Sequence, residues 1–268
     1  MQSIKPFIDA LHHEDLRNKR HPSIFDVNDT YDMLIIRLPE IMDIHALDVT
    51  SFGFIITEEA SYFFNTLTQK LEKLSKRFDS PYLIIDEKLD KVLKAFQAYE
   101  DEVSKLEESL YGEKEAQNFM DGWLKLKRDI VRIERIMLRT TAVLSDMVAH
   151  FENTEGFPLN HYADIHEHGE RLHRSATLQL AKLDYLYNFY TTRTTEKMNR
   201  LIYLLTIISA VFLPLNLLVG FFGMNTSGLP FTRGTNGTFS VVSGMLLILF
   251  VTLMGIIVWR KKIDYTES

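Results

Sequence analysis

LIYLLTIISAVFLPLNLLVGFF, residues 201–222, runs directly into Gly223-Met224-Asn225. The run holds no charged residue, and its length is close to the roughly 20 residues a helix needs to cross ~30 Å of hydrocarbon. A second uncharged run, FSVVSGMLLILFVTLMGIIVW, occupies residues 239–259. Uninterrupted apolar stretches of this length point to membrane-spanning helices rather than to core helices of a soluble protein. Both lie far from the first residues, MQSIKPFIDA, which lack the apolar segment of a secretion signal. The expectation is a two-span integral membrane protein.

Flanking charge predicts the topology. Arg193, Lys197 and Arg200 precede the first run and Arg260-Lys261-Lys262 follow the second, whereas the connecting TSGLPFTRGTNGT carries only Arg233. Lys and Arg concentrate on the cytoplasmic side of membrane helices, so both termini are expected in the cytoplasm, with Trp259 at an interface.

Outside the two runs about 200 residues remain, enough for one domain with its own core. The net charge of −6 and the lack of a basic stripe argue against a nucleic-acid partner. Zero cysteines remove disulfides, thiolate metal sites and cysteine nucleophiles together. No Walker loop, dinucleotide fingerprint, serine elbow or pair of catalytic carboxylates is apparent, so neither an enzyme nor a bound cofactor is expected.

The pattern changes along the chain. Residues 1–86 read as a small cytoplasmic α/β lobe with short strand-like runs at Met33-Leu34-Ile35-Ile36, Phe52-Gly53-Phe54-Ile55-Ile56 and Tyr82-Leu83-Ile84-Ile85. Residues 87–198 read as a helical and stalk region. There Leu89, Val92, Phe96, Tyr99, Val103, Leu106 and Leu110 recur at helical steps up to Gly112. Phe119, Trp123, Leu126, Ile130, Ile133, Met137, Leu144, Val148 and Phe151 form a near-heptad from Ala116 onward, and the two helices are expected to pack antiparallel. After the break at 153–158, a third pattern with Ala176, Leu180, Leu183, Tyr187 and Tyr190 continues toward the membrane. It predicts one helix of about 60 residues, roughly 90 Å long. The remaining segments are 199–225, the stalk end and first span; 226–238, a periplasmic loop; 239–260, the second span; and 261–268, a basic cytoplasmic tail.

Extending the heptad into the first span aligns Asn199, Ile202, Thr206, Ser209, Leu213, Asn216 and Gly220. Polar side chains facing lipid are costly, so this stripe should face other helices or water. Two spans cannot enclose a pore, which implies a ring of identical chains with the stripe lining its axis. The polar positions would then form rings of neutral oxygen and Leu213 and Ile202 apolar constrictions. Such rings suit a hard cation that keeps its water shell, as Mg²⁺ does. The competing reading for Thr206, Ser209 and Asn216 is helix–helix contact or bonding to their own backbone.

Asn199, Leu205-Thr206-Ile207-Ile208, Phe212-Leu213-Pro214-Leu215 and Gly220-Phe221-Phe222-Gly223-Met224-Asn225 resemble the first membrane helix of the CorA-type divalent cation transporters. The two-span layout and the basic tail match too, and the sequence likeness covers about residues 195–262. The resemblance implies an α-helical membrane protein with a small α/β cytoplasmic domain and a long stalk helix. It further implies a funnel-shaped homopentamer in the lipid bilayer of the inner (plasma) membrane, carrying divalent cations. Gly223, Met224 and Asn225 would be the selectivity filter, Asn216 and Thr206 inner polar rings, Leu213 an apolar gate and Asn199 the cytoplasmic exit. Mg²⁺ is the first expectation, with Zn²⁺, Co²⁺ or Ni²⁺ as alternatives. The connecting loop departs from many magnesium-transporting members: Ser227-Gly228-Leu229-Pro230-Phe231 stands where they have Met-Pro-Glu, and it contains no carboxylate. In this it looks closer to the zinc-transporting branch, and the cytoplasmic lobe is shorter than usual.

One cytoplasmic cluster carries metal-ligand chemistry. Asp164 and His168 stand four residues apart on one helix face, and imidazole with carboxylate suits Zn²⁺. The plainer reading is a hydrophilic helix start. A non-conducting, membrane-anchored sensor or interaction protein is the reading from a different class.

Overall fold

The computed structural model describes residues 8–44, 46–111, 118–224 and 236–264. The chain divides into two compact units, Met1–Phe189 and Tyr190–Ser268.

The first unit opens with helix α1 (Ala10–Arg17), capped by the Asp9 side chain accepting from the Leu11 amide. Five strands follow: β1 (Ile24–Val27), β2 (Asp32–Asp43), β3 (Ala46–Ile56), β4 (Ser61–Asn65) and β5 (Lys70–Lys73). They form one antiparallel sheet in chain order, each strand paired with its sequence neighbour. In the central pair Leu34 lies opposite Phe54 and Ile36 opposite Phe52. Successive residues of a strand point to opposite faces, so a half-covered sheet would show alternating burial. Met33, Leu34, Ile35 and Ile36 are instead all buried, because both faces are covered. On one face Met33, Ile35, Ile55 and Phe64 close on Tyr31 and on Leu16 of α1. The other face meets the next two helices, α2 (Asp79–Tyr111) and α3 (Phe119–Phe151). There the Thr140 hydroxyl donates to the Arg37 carbonyl at 2.8 Å and Lys88 lies over the Phe52 ring.

Met33–Ile36 and Phe52–Ile56 are strands, as the sequence predicts. Tyr82-Leu83-Ile84-Ile85 is not a strand but part of α2, which begins at Asp79. The four apolar residues are too few to distinguish the two periods, and Ile85 is buried while Leu83 faces outward, as one side of a helix requires.

Helix α4 (Leu159–Phe222) runs 64 residues without a break, about 96 Å at 1.5 Å per residue. With α2 and α3 its first half forms a three-helix bundle. Phe78 touches Phe151 and Tyr99 reaches Asp129, so α2 and α3 are antiparallel. Trp123 donates to the Leu183 carbonyl and Glu134 meets His173, so α3 and α4 are antiparallel too. Two antiparallel packings leave α2 and α4 parallel. Gly169 lets α4 approach α3 closely, since a β-carbon there would lie 2.8 Å from Thr141 Cγ2. Tyr162 is fully buried, its hydroxyl donating to the Phe78 carbonyl at 2.8 Å, and burial pushes its pKa above the ordinary value.

The second unit comprises the rest of α4 and α5 (Gly237–Asp264). Each holds an uncharged window long and apolar enough to cross a membrane, and neither window is buried within the chain.

Candidate functional site

The stripe Asn199, Ile202, Thr206, Ser209, Leu213, Asn216 and Gly220 lies on α4. At about 100° per residue a seven-residue step drifts by only ~20°, so over three heptads all seven positions stay within about 100° of the helix circumference. Ser209 is half-buried and the others are exposed in the single chain. The Thr206 hydroxyl donates to the Ile202 carbonyl at 2.8 Å. Its proton is thereby committed, leaving the oxygen to act outward only as an acceptor, the polarity a cation needs. Self-bonding therefore does not remove Thr206 from a cation path. Pro214 sits inside the helix, which continues through it.

Helix α4 terminates at the predicted filter. The Gly223 amide still donates to the Val219 carbonyl at 2.8 Å, and the Met224 amide reaches Phe221 at 3.4 Å. A β-carbon at Gly223 would stand 2.8 Å from that same Val219 oxygen, a backbone atom that cannot swing aside. Glycine is thus required by the closing turn itself. Gly220 has open space where a side chain would begin. Met224 is exposed; Asn225 and residues 226–235 of the loop lie outside the described residues.

In the first unit the structure places Asp164 and His168 one turn apart on α4, with His168 Nε2 3.7 Å from Asp164 Oδ1. It also brings two residues that sequence reading missed. Asp86 and Asp90 of α2 each put a carboxylate oxygen 3.9 Å from His168 Nδ1. They escaped notice because reading 82–85 as a strand placed a lobe boundary between them, hiding their i,i+4 spacing on one helix. Burial first, then the Asp90 charge, push the Asp86 carboxyl above its usual range, with His168 acting oppositely. The same carboxylates, after burial, raise the Tyr82 hydroxyl.

Comparison with known proteins places these features in a family. The CorA-like Mg²⁺ transporter protein family matches residues 7–262. The cobalt/magnesium transport protein CorA of Thermotoga maritima is 24% identical over 184 residues, 68% of this chain and 51% of that protein. The zinc transport protein ZntB of Pectobacterium carotovorum is 32% identical over 83 residues, 31% of this chain and 24% of ZntB. This chain therefore spans about half the length of the Thermotoga protein. The complete structure of the CorA magnesium transporter from Methanocaldococcus jannaschii superposes with a TM-score of 0.69 at 16% identity, covering 93% of this chain and 83% of that one, a likeness of fold. A match over nearly the whole sequence, joined to the two apolar helices and the α/β lobe, assigns the chain to the CorA-like divalent metal ion transporters, a family of transporters rather than enzymes.

Proposed function

We propose that this chain is one subunit of a homopentameric divalent-cation channel of the inner membrane, taking up Mg²⁺ under the membrane potential. One observation carries the reading: a stripe that starts at Asn199, just before the uncharged run, continues through Thr206, Ser209 and Asn216 along the uncovered 201–222 part of α4 and leads to Gly223. Five copies around an axis would turn each polar position into a ring of neutral oxygens. Gly223, Met224 and Asn225 would form the filter at the outer mouth, Leu213 and Ile202 would constrict the path, and Asn199 would mark its cytoplasmic exit. Neutral rings hold a hydrated ion loosely enough to release it, as conduction demands. Each 100 mV is worth about 2.3 kcal/mol per charge, so a divalent ion gains roughly twice that on entry. The basic flanks of both spans support cytoplasmic termini.

Zn²⁺ is the second reading, favoured by a connecting segment with Arg233 and no carboxylate and by the ZntB relative. Ion uptake into liposomes bearing the purified full chain, under a negative-inside potential, tests both. Mg²⁺ flux abolished or made unselective by Asn225→Ala supports the proposal. Zn²⁺ flux with the same sensitivity transfers it to the second reading. Flux of neither ion, or flux indifferent to Asn225→Ala, overturns the pore and favours a non-conducting sensor.

A further inference from the structure

Helices α2 and α4 run parallel, fastened on both sides of His168. Before it, Tyr162 bonds to the Phe78 carbonyl at 2.8 Å; beyond it, Ser175 bonds to Glu100 and Lys182 pairs with Glu107 at 2.7 Å. Between these fastenings Asp86 and Asp90 of α2 come to His168 of α4, which also meets Asp164 of its own helix. Asp86 and Asp90 share a helix face because they stand four residues apart. His168 is further fixed by its neighbour Gly169, which sits against Thr141 of α3.

The hydrogen bonding here is incomplete. His168 Nδ1 is buried without a hydrogen-bond partner, although it faces two carboxylates at 3.9 Å. That separation exceeds hydrogen-bond reach. On the other side of the ring Nε2 faces Asp164 at 3.7 Å. An imidazole whose Nε2–H points to Asp164 turns its Nδ1 lone pair toward Asp86 and Asp90, acceptor against acceptor. Lys94, 3.9 Å from Asp90 and largely exposed, is the cation that an ion pair brings to either of those two aspartates among the described residues, His168 itself apart. A metal ion placed among the three would reverse each of these mismatches.

We propose that Asp86, Asp90 and His168 form a binding site, within a single subunit, for a first-row transition-metal dication of the Zn²⁺, Co²⁺ or Ni²⁺ class. The ligating atoms all lie within 4.8 Å of one another. Metal–nitrogen and metal–oxygen bonds of ~2.0–2.2 Å at tetrahedral angles put ligands about 3.4 Å apart, so each His168 contact contracts by about half an ångström and no pair by more than about 1.4 Å to close the site. Asp164 would hold the imidazole by its outer nitrogen, the carboxylate–histidine–metal arrangement common to such sites, and is a positioning residue. Three protein ligands leave one position for water, and the half-exposed Asp90 gives access. Imidazole selects against Mg²⁺, which prefers an octahedral shell of oxygens and keeps its waters. The site owes nothing to the pore reading, and its occupancy clips the start of α4 to α2.

The test is a Co²⁺ titration of the full chain in detergent, followed by the visible d–d bands that nitrogen-containing, low-coordinate ligation intensifies. The expected result is one such Co²⁺ per chain, displaced by Zn²⁺ but not by a large excess of Mg²⁺. His168→Gln abolishes the bands, Asp164→Asn weakens binding about 10- to 100-fold, and His166→Gln leaves it intact. Metal-free melting of each variant establishes that it is folded; should His168→Gln fail there, Asp90→Asn replaces it. No bands in the native chain, bands that survive loss of His168, or displacement by Mg²⁺ overturns the site. Uptake into liposomes can fail while this binding persists, so the two proposals fall separately.

Discussion

Residues 159–189 and 201–222 belong to one helix, yet they meet their surroundings in opposite ways. In the first stretch Tyr162, Ile165, Gly169, Leu172, Ala176, Leu183 and Leu186 are buried at three- and four-residue steps against α2 and α3. In the second, apolar residues stand on every side and are uncovered: Leu183 is 0% exposed, Leu217 74%. A stripe of apolar residues names a protein partner, whereas apolar residues all round name an apolar medium. The lesson is that helix continuity says nothing about what solvates the helix. Composition per turn does.

The sharpest challenge to this contrast is a pair of truncations. Leu172→Ala, in the first stretch, should cost about 2–5 kcal/mol by opening a cavity in the bundle. Leu213→Ala, in the second, should leave bundle unfolding where it was, as thermal melts of the full chain in detergent would record. Equal losses would break the contrast. A glycine pair sharpens it further. Gly169→Ala drives a methyl group against Thr141 and should cost about 1–3 kcal/mol; Gly220→Ala meets nothing within 4 Å and should melt as the parent does.

Hydroxyl removal is the next, smaller step. Tyr162→Phe removes one of two hydrogen bonds to the Phe78 carbonyl, the Tyr82 amide keeping the other at 3.2 Å, and should cost about 0.5–1.5 kcal/mol. Thr206→Val should be neutral for stability, because the Ile202 carbonyl already accepts within its helix. The smallest effect is a pH dependence in the first unit that residues 201–222, which contain no Asp, Glu, His, Lys or Arg, do not share. Burial raises the Asp32 carboxyl, opposed by His150 at 3.5 Å and by Arg77. The folded chain then holds that proton more tightly than the unfolded one. Stability should therefore fall as pH rises from the ordinary value of 3.8 through the raised one. Asp32→Asn should flatten that part of a pH–melting profile; an unchanged slope would assign it to another group.

The long helix, the two apolar runs and the glycine that closes α4 were legible because each is written in consecutive residues. Leu89, Phe96, Ile130 and Met137 were correctly legible as core from spacing alone, and all four are buried. The helical start of α2 was not, because 82–85 is short and apolar and carries no capping signal strong enough to oppose a strand. That local error concealed the Asp86–Asp90 pair, and with it the partners of His168. Those partners lie about 80 residues away in sequence, joined to His168 only by the parallel packing of α2 and α4. Spacing along one element reveals a face; only packing reveals what the face meets.

The sheet carries a consequence for biosynthesis. Every strand from β1 to β5 pairs with its immediate neighbour in sequence, so each hairpin can close as soon as its second strand is made. Hairpins form in about 1–10 μs. Between Lys73, the end of β5, and Leu201 lie 127 further positions, about 6–25 s of translation at ~5–20 residues per second. The sheet's hydrogen bonding can therefore be complete on the ribosome long before the first apolar run seeks the translocon, and the membrane receives a chain whose strand edges have already found one another.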